Sequence, residues 1–208
     1  SPGMGKTRIL DALSARDGHN DWSAKKQVIK SFRPRGRDPS NPSVVGPLQV
    51  FRKSLLGAGA VSITFNDISD RRSDSSLSAI PAVCCRLLWS YFLARDSSYE
   101  TFARNLGPLM RQASVLKVVR LILQDLNPDQ HLLVFVDELI KAGLESDGSP
   151  SSSVILVDLG QVIDHEPRVH VAVSSLSSAP ISTFRSSSGR TAFCPQLSRL
   201  SAASSKKI

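Results

Sequence analysis

Five consecutive apolar residues, Leu132-Leu133-Val134-Phe135-Val136, run directly into Asp137-Glu138. An unbroken apolar run of strand length, with no polar alternation, is the pattern of a parallel strand covered on both faces. Such a strand needs partner strands beside it and helices over it. The two acids then fall at its C-terminal end, the edge of an open α/β sheet where ligands bind.

The rest of the chain offers those partners. Ala60 to Asn66, bounded by Gly57, Gly59 and Asp67, is rich in β-branched and aromatic residues and reads as a strand. A charged, serine-rich loop follows from Asp67 to Ser76. Leu77, Ile80, Val83, Cys84, Leu87, Leu88, Tyr91 and Phe92 recur at helical spacing and predict a helix over 76–93 with one wide buried face. The same spacing predicts a second helix over 110–126. Residues 145–153 form a Ser/Gly/Asp loop. Residues 154–163 are apolar and ambiguous between helix and strand, with helix preferred because Val169 to Ser175 alternates and is the better strand. A short last strand is expected over 191–194. Strands alternating with helices make an α/β protein with a mainly parallel sheet.

The organisation expected is one domain over residues 1–197, with a polar tail over 198–208. Residues 16–58 are basic, polar and punctuated by Pro and Gly, and read as a loop-rich insertion, either a solvated linker or a basic arm for nucleic acid. Apolar residues are 41%, aromatics 6%, and about one residue in six is serine, so a modest core with long polar loops is expected. The net charge of +8 suits a polyanionic partner without choosing among nucleotide, nucleic acid and acidic protein. No apolar run approaches the ~18 residues that span a bilayer, and the N-terminus lacks the layout of a secretory signal. Three cysteines, Cys84, Cys85 and Cys194, are an odd number, and the adjacent pair sits in a helical pattern. Reduced, buried thiols in a reducing interior fit this better than a disulfide framework. His19, His131, His165 and His170 lack metal-ligand spacing and are assigned no chemistry.

The chain has no initiating Met and opens Ser1-Pro2-Gly3-Met4-Gly5-Lys6-Thr7. This is a phosphate-binding loop, Gly-x4-Gly-Lys-Ser/Thr, cut by its first glycine. Gly3 and Gly5 free the backbone so that N–H groups around Met4 can face phosphate oxygens. Arg8 starts the helix whose positive end faces the same anion. Lys6 supplies a point charge for the β- and γ-phosphates, and Thr7 a hard oxygen ligand for Mg²⁺. About 130 residues later, Asp137 is the acid to hold magnesium and Glu138 the one to polarise an attacking water. Each motif by itself has a bland alternative, a glycine-rich turn or a solvated strand end. Occurring in this order, they point to one nucleotide site at one sheet edge.

In order, residues 1–8, Ser62-Ile63-Thr64-Phe65-Asn66, Leu133 to Glu138, Val173-Ser174-Ser175-Leu176 and Ser188-Gly189-Arg190 before Pro195-Gln196-Leu197 resemble the P-loop ATPase module of Crinkler effectors and of the related retrotransposon hot spot proteins of trypanosomatids. The resemblance implies an additional-strand P-loop NTPase similar to AAA+ and STAND modules, using ATP and Mg²⁺. It is compatible with Ser174 or Ser175, with Ser175 preferred, sensing the γ-phosphate rather than merely capping a turn, and with Arg190, which is as readily a solvent-exposed arginine, reaching transferring phosphate oxygens in cis or across an oligomer interface. It implies a location inside cells, often in nuclei, including secretion as an effector that acts in a host nucleus. The departures are the missing leading glycine, the missing first strand, expected centrally beside the Asp137-Glu138 strand, and the poor match over 16–58. An ATP-hydrolysing module is thus expected. The alternatives are a nucleotide-dependent switch with little turnover, and an inactive truncated remnant.

Overall fold

The computed structural model describes residues 49, 53, 56–65, 74, 77–93, 97–143 and 148–174. The elements below belong to one compact unit, Gly57–Arg190; the other unit, Ser1–Leu56 with Thr191–Ile208, holds only Gln49, Lys53 and Leu56 of the described residues. Three parallel strands, β1 (Gly59–Thr64), β2 (Leu132–Asp137) and β3 (Val169–Val173), form a sheet in the order β1-β2-β3. The helices are α1 (Ala79–Leu88), α2 (Tyr99–Leu106), α3 (Val115–Asp125) and α4 (Ser151–His165). None of the described helices is long and apolar enough to cross a membrane. The α/β class with a parallel sheet is therefore observed.

All six residues of β2 are buried, as its unbroken apolar sequence requires. Its register sets Val61 against Val134, Ile63 against Val136 and Thr64 against Asp137 on one side, and Val136 against Val173 on the other. Val61, Ile63, Leu132, Val134 and Val136 share one face and pack with Val83, Leu87, Ile122, Ile155 and Leu159 from α1, α3 and α4. Leu133 and Phe135, which alternate to the opposite face, are also buried. Because β1 and β3 occupy both sides of β2, the position beside the Asp137-Glu138 strand, where a missing first strand was expected, is already filled. The backbone hydrogen bonds of β2 are satisfied by these two neighbours.

Helix boundaries depart from the hydrophobic spacing where local chemistry competes with it. The helix expected over 76–93 is α only to Leu88, tolerating Pro81 in its first turn, and then widens into a π turn, Trp89–Leu93. There Ser90 Oγ donates to the Ser62 carbonyl at 2.7 Å and fastens the segment to β1. The helix expected over 110–126 is divided into a 3₁₀ segment, Gly107–Gln112, and α3. Ser114 caps α3 by accepting the Lys117 N–H (3.3 Å), and Asp158 of α4 accepts the Val115 N–H (3.0 Å). Capping of this kind contributes about 1 kcal/mol, enough to fix the start at Val115. The preference for helix over 154–163 holds, but α4 begins earlier, at Ser151, with Ser151 and Ser152 buried. Helix α2 was not anticipated, although Ser98 at its N-cap and Glu100 in its first turn are start signals. Gln49, Lys53, Leu56 and Gly57 have helical backbone, so the end of the expected loop-rich insertion is helical at these positions. The expected strand over 191–194 and the tail over 198–208 lie outside the described residues.

The C-terminal end of β1 is held by a buried cation. Arg86 of α1 donates to the Thr64 carbonyl and, through Nε (2.9 Å) and Nη2 (2.6 Å), to Asp74 Oδ2. Its guanidinium lies 4.9 Å from the Phe65 ring centre and 4.8 Å from that of Tyr99, whose hydroxyl donates to Asp74 Oδ1. Burial, reinforced by the Asp74 charge, raises the Tyr99 pKa and keeps the phenol a donor. Cys84 and Cys85 are buried free thiols, pushed up to about 12 and about 11 by burial, which leaves them unreactive as thiolates. Arg86→Met is expected to leave Asp74 without its cation and to lower the unfolding free energy by about 3–5 kcal/mol. A urea denaturation midpoint unchanged from wild type would show that the network does not hold the β1 end.

Candidate functional site at the C-terminal edge of the sheet

The parallel sheet brings the ends of β2 and β3 together, and Ser174 joins them. Its backbone N–H donates to the Val136 carbonyl (2.8 Å) and its carbonyl accepts the Leu139 N–H (3.1 Å). Its hydroxyl donates to Asp137 Oδ1 and accepts the Glu138 N–H at 3.3 Å. From the other side of the sheet, the Phe65 N–H donates to the Asp137 carbonyl at 3.0 Å. Asp137 is thus fixed through its backbone by the β1 side and through its carboxylate by the β3 side. It is 3% exposed, so its charge must be met by hydrogen bonds or by a cation.

Glu138 leaves the strand in the left-handed region, φ 54° and ψ 43°, the only described non-glycine residue with positive φ. That conformation costs a residue with a Cβ about 1–3 kcal/mol and is retained where the surroundings impose it, most often at functional sites. The turn carries Glu138 into the protein at 5% exposure and starts a 3₁₀ segment, Leu139–Ala142. Glu138 Oε2 is buried without a hydrogen-bond partner. The Lys141 ammonium, one 3₁₀ turn on, lies 3.9 Å from it, too far for a hydrogen bond. A buried carboxylate oxygen with a cation near it and no donor on it can accept a hydrogen bond from a molecule brought to the site.

The donors at this edge are hard oxygens, the type Mg²⁺ prefers. Among the described residues no cluster of three or more His, Cys, Asp or Glu could hold a metal by protein ligands alone. One carboxylate combined with substrate phosphates and water is the usual way Mg²⁺ is bound, and Asp137 fits that role. Two concavities of the described surface are lined by other residues, one by Ile80, Val154, Val157 and Asp158, the other by Arg120, Leu126, Glu166 and Arg168.

Of the residues singled out in the sequence, the structure brings together Asp137, Glu138 and Ser174. Gly3, Met4, Gly5, Lys6, Thr7, Arg8, Ser175 and Arg190 lie outside the described residues. Between the two serines at the end of β3, Ser174 is the one seen against Asp137. Lys141 and the left-handed backbone of Glu138 were missed, and no residue type at position 138 signals the latter, since glycine or asparagine is the usual mark of such a turn.

Ser174→Ala is expected to leave the Glu138 N–H and an Asp137 oxygen without their partner and to cost about 1–3 kcal/mol. Urea denaturation checks this; a change within 0.5 kcal/mol, about the scatter of a neutral surface substitution, would show that the hydroxyl does not fasten the turn. No protein-family model, no curated protein and no solved structure matches the chain.

Proposed function

We propose that the chain is a P-loop nucleoside triphosphatase module that binds Mg²⁺-ATP and hydrolyses it, of the additional-strand kind that its sequence islands resemble in Crinkler and retrotransposon hot spot proteins. In this reading Gly3, Met4, Gly5 and Arg8 form the phosphate cradle, Lys6 neutralises the β- and γ-phosphates, and Thr7 with Asp137 holds magnesium. Magnesium, when bound, withdraws charge from the phosphate oxygens. Glu138 accepts a proton from the attacking water, Ser174 keeps the Asp137 carboxylate aimed, Ser175 contacts the γ-phosphate, and Arg190 reaches it as charge shifts to the leaving oxygen.

The observation that carries the reading is Glu138 Oε2, a buried carboxylate oxygen with no hydrogen-bond donor, on a strained residue directly after an acid fixed by its neighbours. A carboxylate that served only to stabilise the turn would be expected to use both oxygens. A second reading, a nucleotide-dependent switch with little turnover, draws on the Lys141 ammonium 3.9 Å from that same oxygen, a competitor for the water.

Glu138→Gln preserves shape and removes the base. In the full chain it is expected to keep Mg²⁺-ATP affinity within a factor of about two while turnover falls about 10²–10⁴-fold. Undiminished hydrolysis by the variant would remove Glu138 from the mechanism. Failure of the wild-type chain to bind Mg²⁺-ATP would overturn the proposal as a whole. Turnover already slow in wild type, with bound ATP persisting through a single-turnover experiment, would favour the switch.

A further inference from the structure

The two outer strands of the sheet are finished differently. On β1 the odd-numbered residues bond to β2: the Gly59 N–H donates to the His131 carbonyl (2.8 Å) and the Phe65 N–H to the Asp137 carbonyl (3.0 Å). The carbonyls of Ser62 and Thr64 therefore point away from β2, and α1 with its π turn takes both. Arg86 donates to that of Thr64, and Ser90 Oγ to that of Ser62 at 2.7 Å. Four residues apart, these side chains are neighbours on one helical face and close the β1 edge to a further strand.

On β3 the even-numbered backbone positions face β2. The Arg168 carbonyl accepts the Leu132 N–H (2.9 Å), and the Ser174 N–H donates to the Val136 carbonyl (2.8 Å). The peptide groups of Val169, Val171 and Val173 face outward, and the Val169 N–H turns back to the Glu166 carbonyl (2.9 Å). Among the described residues, no partner takes the N–H groups of Val171 and Val173 or the carbonyls of the three valines. Val171 and Val173 are half-buried and Ala172 is exposed, so solvent reaches this edge. An outward row of donors and acceptors is a template for another strand, which proteins ordinarily blunt with Lys, Pro, a bulge or a covering element. The sequence Val169-His170-Val171-Ala172-Val173 has neither Lys nor Pro, and it pairs with β2 residue for residue without a bulge.

We infer that the outer edge of β3 is an interface between two copies of this chain, which pair there as antiparallel strands about a twofold axis at Val171. Identical edges are self-complementary in that arrangement. The Val171 N–H of each copy donates to the Val171 carbonyl of the other, and the Val173 N–H of each to the Val169 carbonyl of the other, so every outward donor of both edges is used. The side chains fit the same register. His170 falls opposite Ala172 of the second copy, a large ring beside an exposed methyl, while Val171 meets Val171 and Val169 meets Val173. Val171 and Val173 already pack against the core, and the second copy covers their exposed halves. Self-pairing brings any charge on the strand close to its own image, and β3 holds no Asp, Glu, Lys or Arg. Arg168, just before it, is turned to the carbonyls of Asn127, Pro128 and Gln130.

Sedimentation velocity of the full chain from about 1 to about 100 μM tests the inference, a range suited to the weak association of a small contact. The wild type is expected to show a monomer–dimer equilibrium. Val171→Pro removes an outward N–H and no bond to β2. Ala172→Lys puts a charge on an exposed position that self-pairing brings near its own image. Each is expected to raise the dimer dissociation constant at least about tenfold. Circular dichroism shows whether the variants keep the fold, and should Val171→Pro lose it, Ala172→Lys decides. A wild type that stays monomeric throughout, including one that captures some other extended peptide at β3, would overturn the inference. So would assembly beyond a dimer, or a dimer that Ala172→Lys leaves at wild-type affinity.

Discussion

The bridge made by Ser174 is the constraint on which the sheet edge depends. A strand that leaves its sheet with an acid and then a second acid has two charges, a free backbone N–H and a change of direction to stabilise within two residues. Ser174 meets three of those needs at once: it accepts the Glu138 N–H, donates to the Asp137 carboxylate, and takes the Leu139 N–H on its own carbonyl. Because Ser174 is itself fixed to Val136 by the parallel ladder, the turn inherits the rigidity of β2 and β3. What the bridge leaves unmet is Glu138 Oε2, and the functional reading concentrates on that atom.

The opposite side of the sheet edge is organised by a different interaction. Arg86 closes β1 from within the core, through Asp74, Tyr99 and Phe65 and onto the Thr64 carbonyl. Since Thr64 is in register with Asp137, the last residue of β1 is set by a buried cation and the last residue of β2 by a serine from β3. The two ends are immobilised by polar contacts, while the middle of the sheet is held by Val61, Val134, Ile122, Leu159 and their neighbours. Apolar packing fixes the layer, and hydrogen bonds fix its edge.

The layer was legible in the sequence because periodicity reports burial. Leu132 to Val136 could only be a doubly covered strand, and Val169 to Val173 and Ala60 to Thr64 carry the β-branched content of its neighbours. Boundaries were less legible, since caps decide them: Ser114 with Asp158 divides a continuous helical pattern, and Ser98 starts a helix in a segment that the apolar spacing did not single out. The resemblance placed a further strand beside β2, and the structure has β1 and β3 in both of those places. Of the site, the acids and the serine were visible as residue types. The left-handed turn at Glu138 was not, because tertiary contacts impose it against local preference. Arg86 was hidden for a related reason, since a lone arginine in an apolar helix looks like a solvated position until its carboxylate partner, 12 residues away, is seen beside it.

The proposed function requires Lys6 and Asp137 to act on one triphosphate. A double-mutant cycle on Mg²⁺-ATP affinity tests it most directly, using Lys6→Ala, Asp137→Asn and the pair in the full chain, read by isothermal titration. Each single change is expected to weaken binding at least about tenfold, and the double variant to be little worse than either, because groups that share one ligand couple. Independent, additive losses, or an Asp137→Asn chain that binds as wild type does, would contradict it.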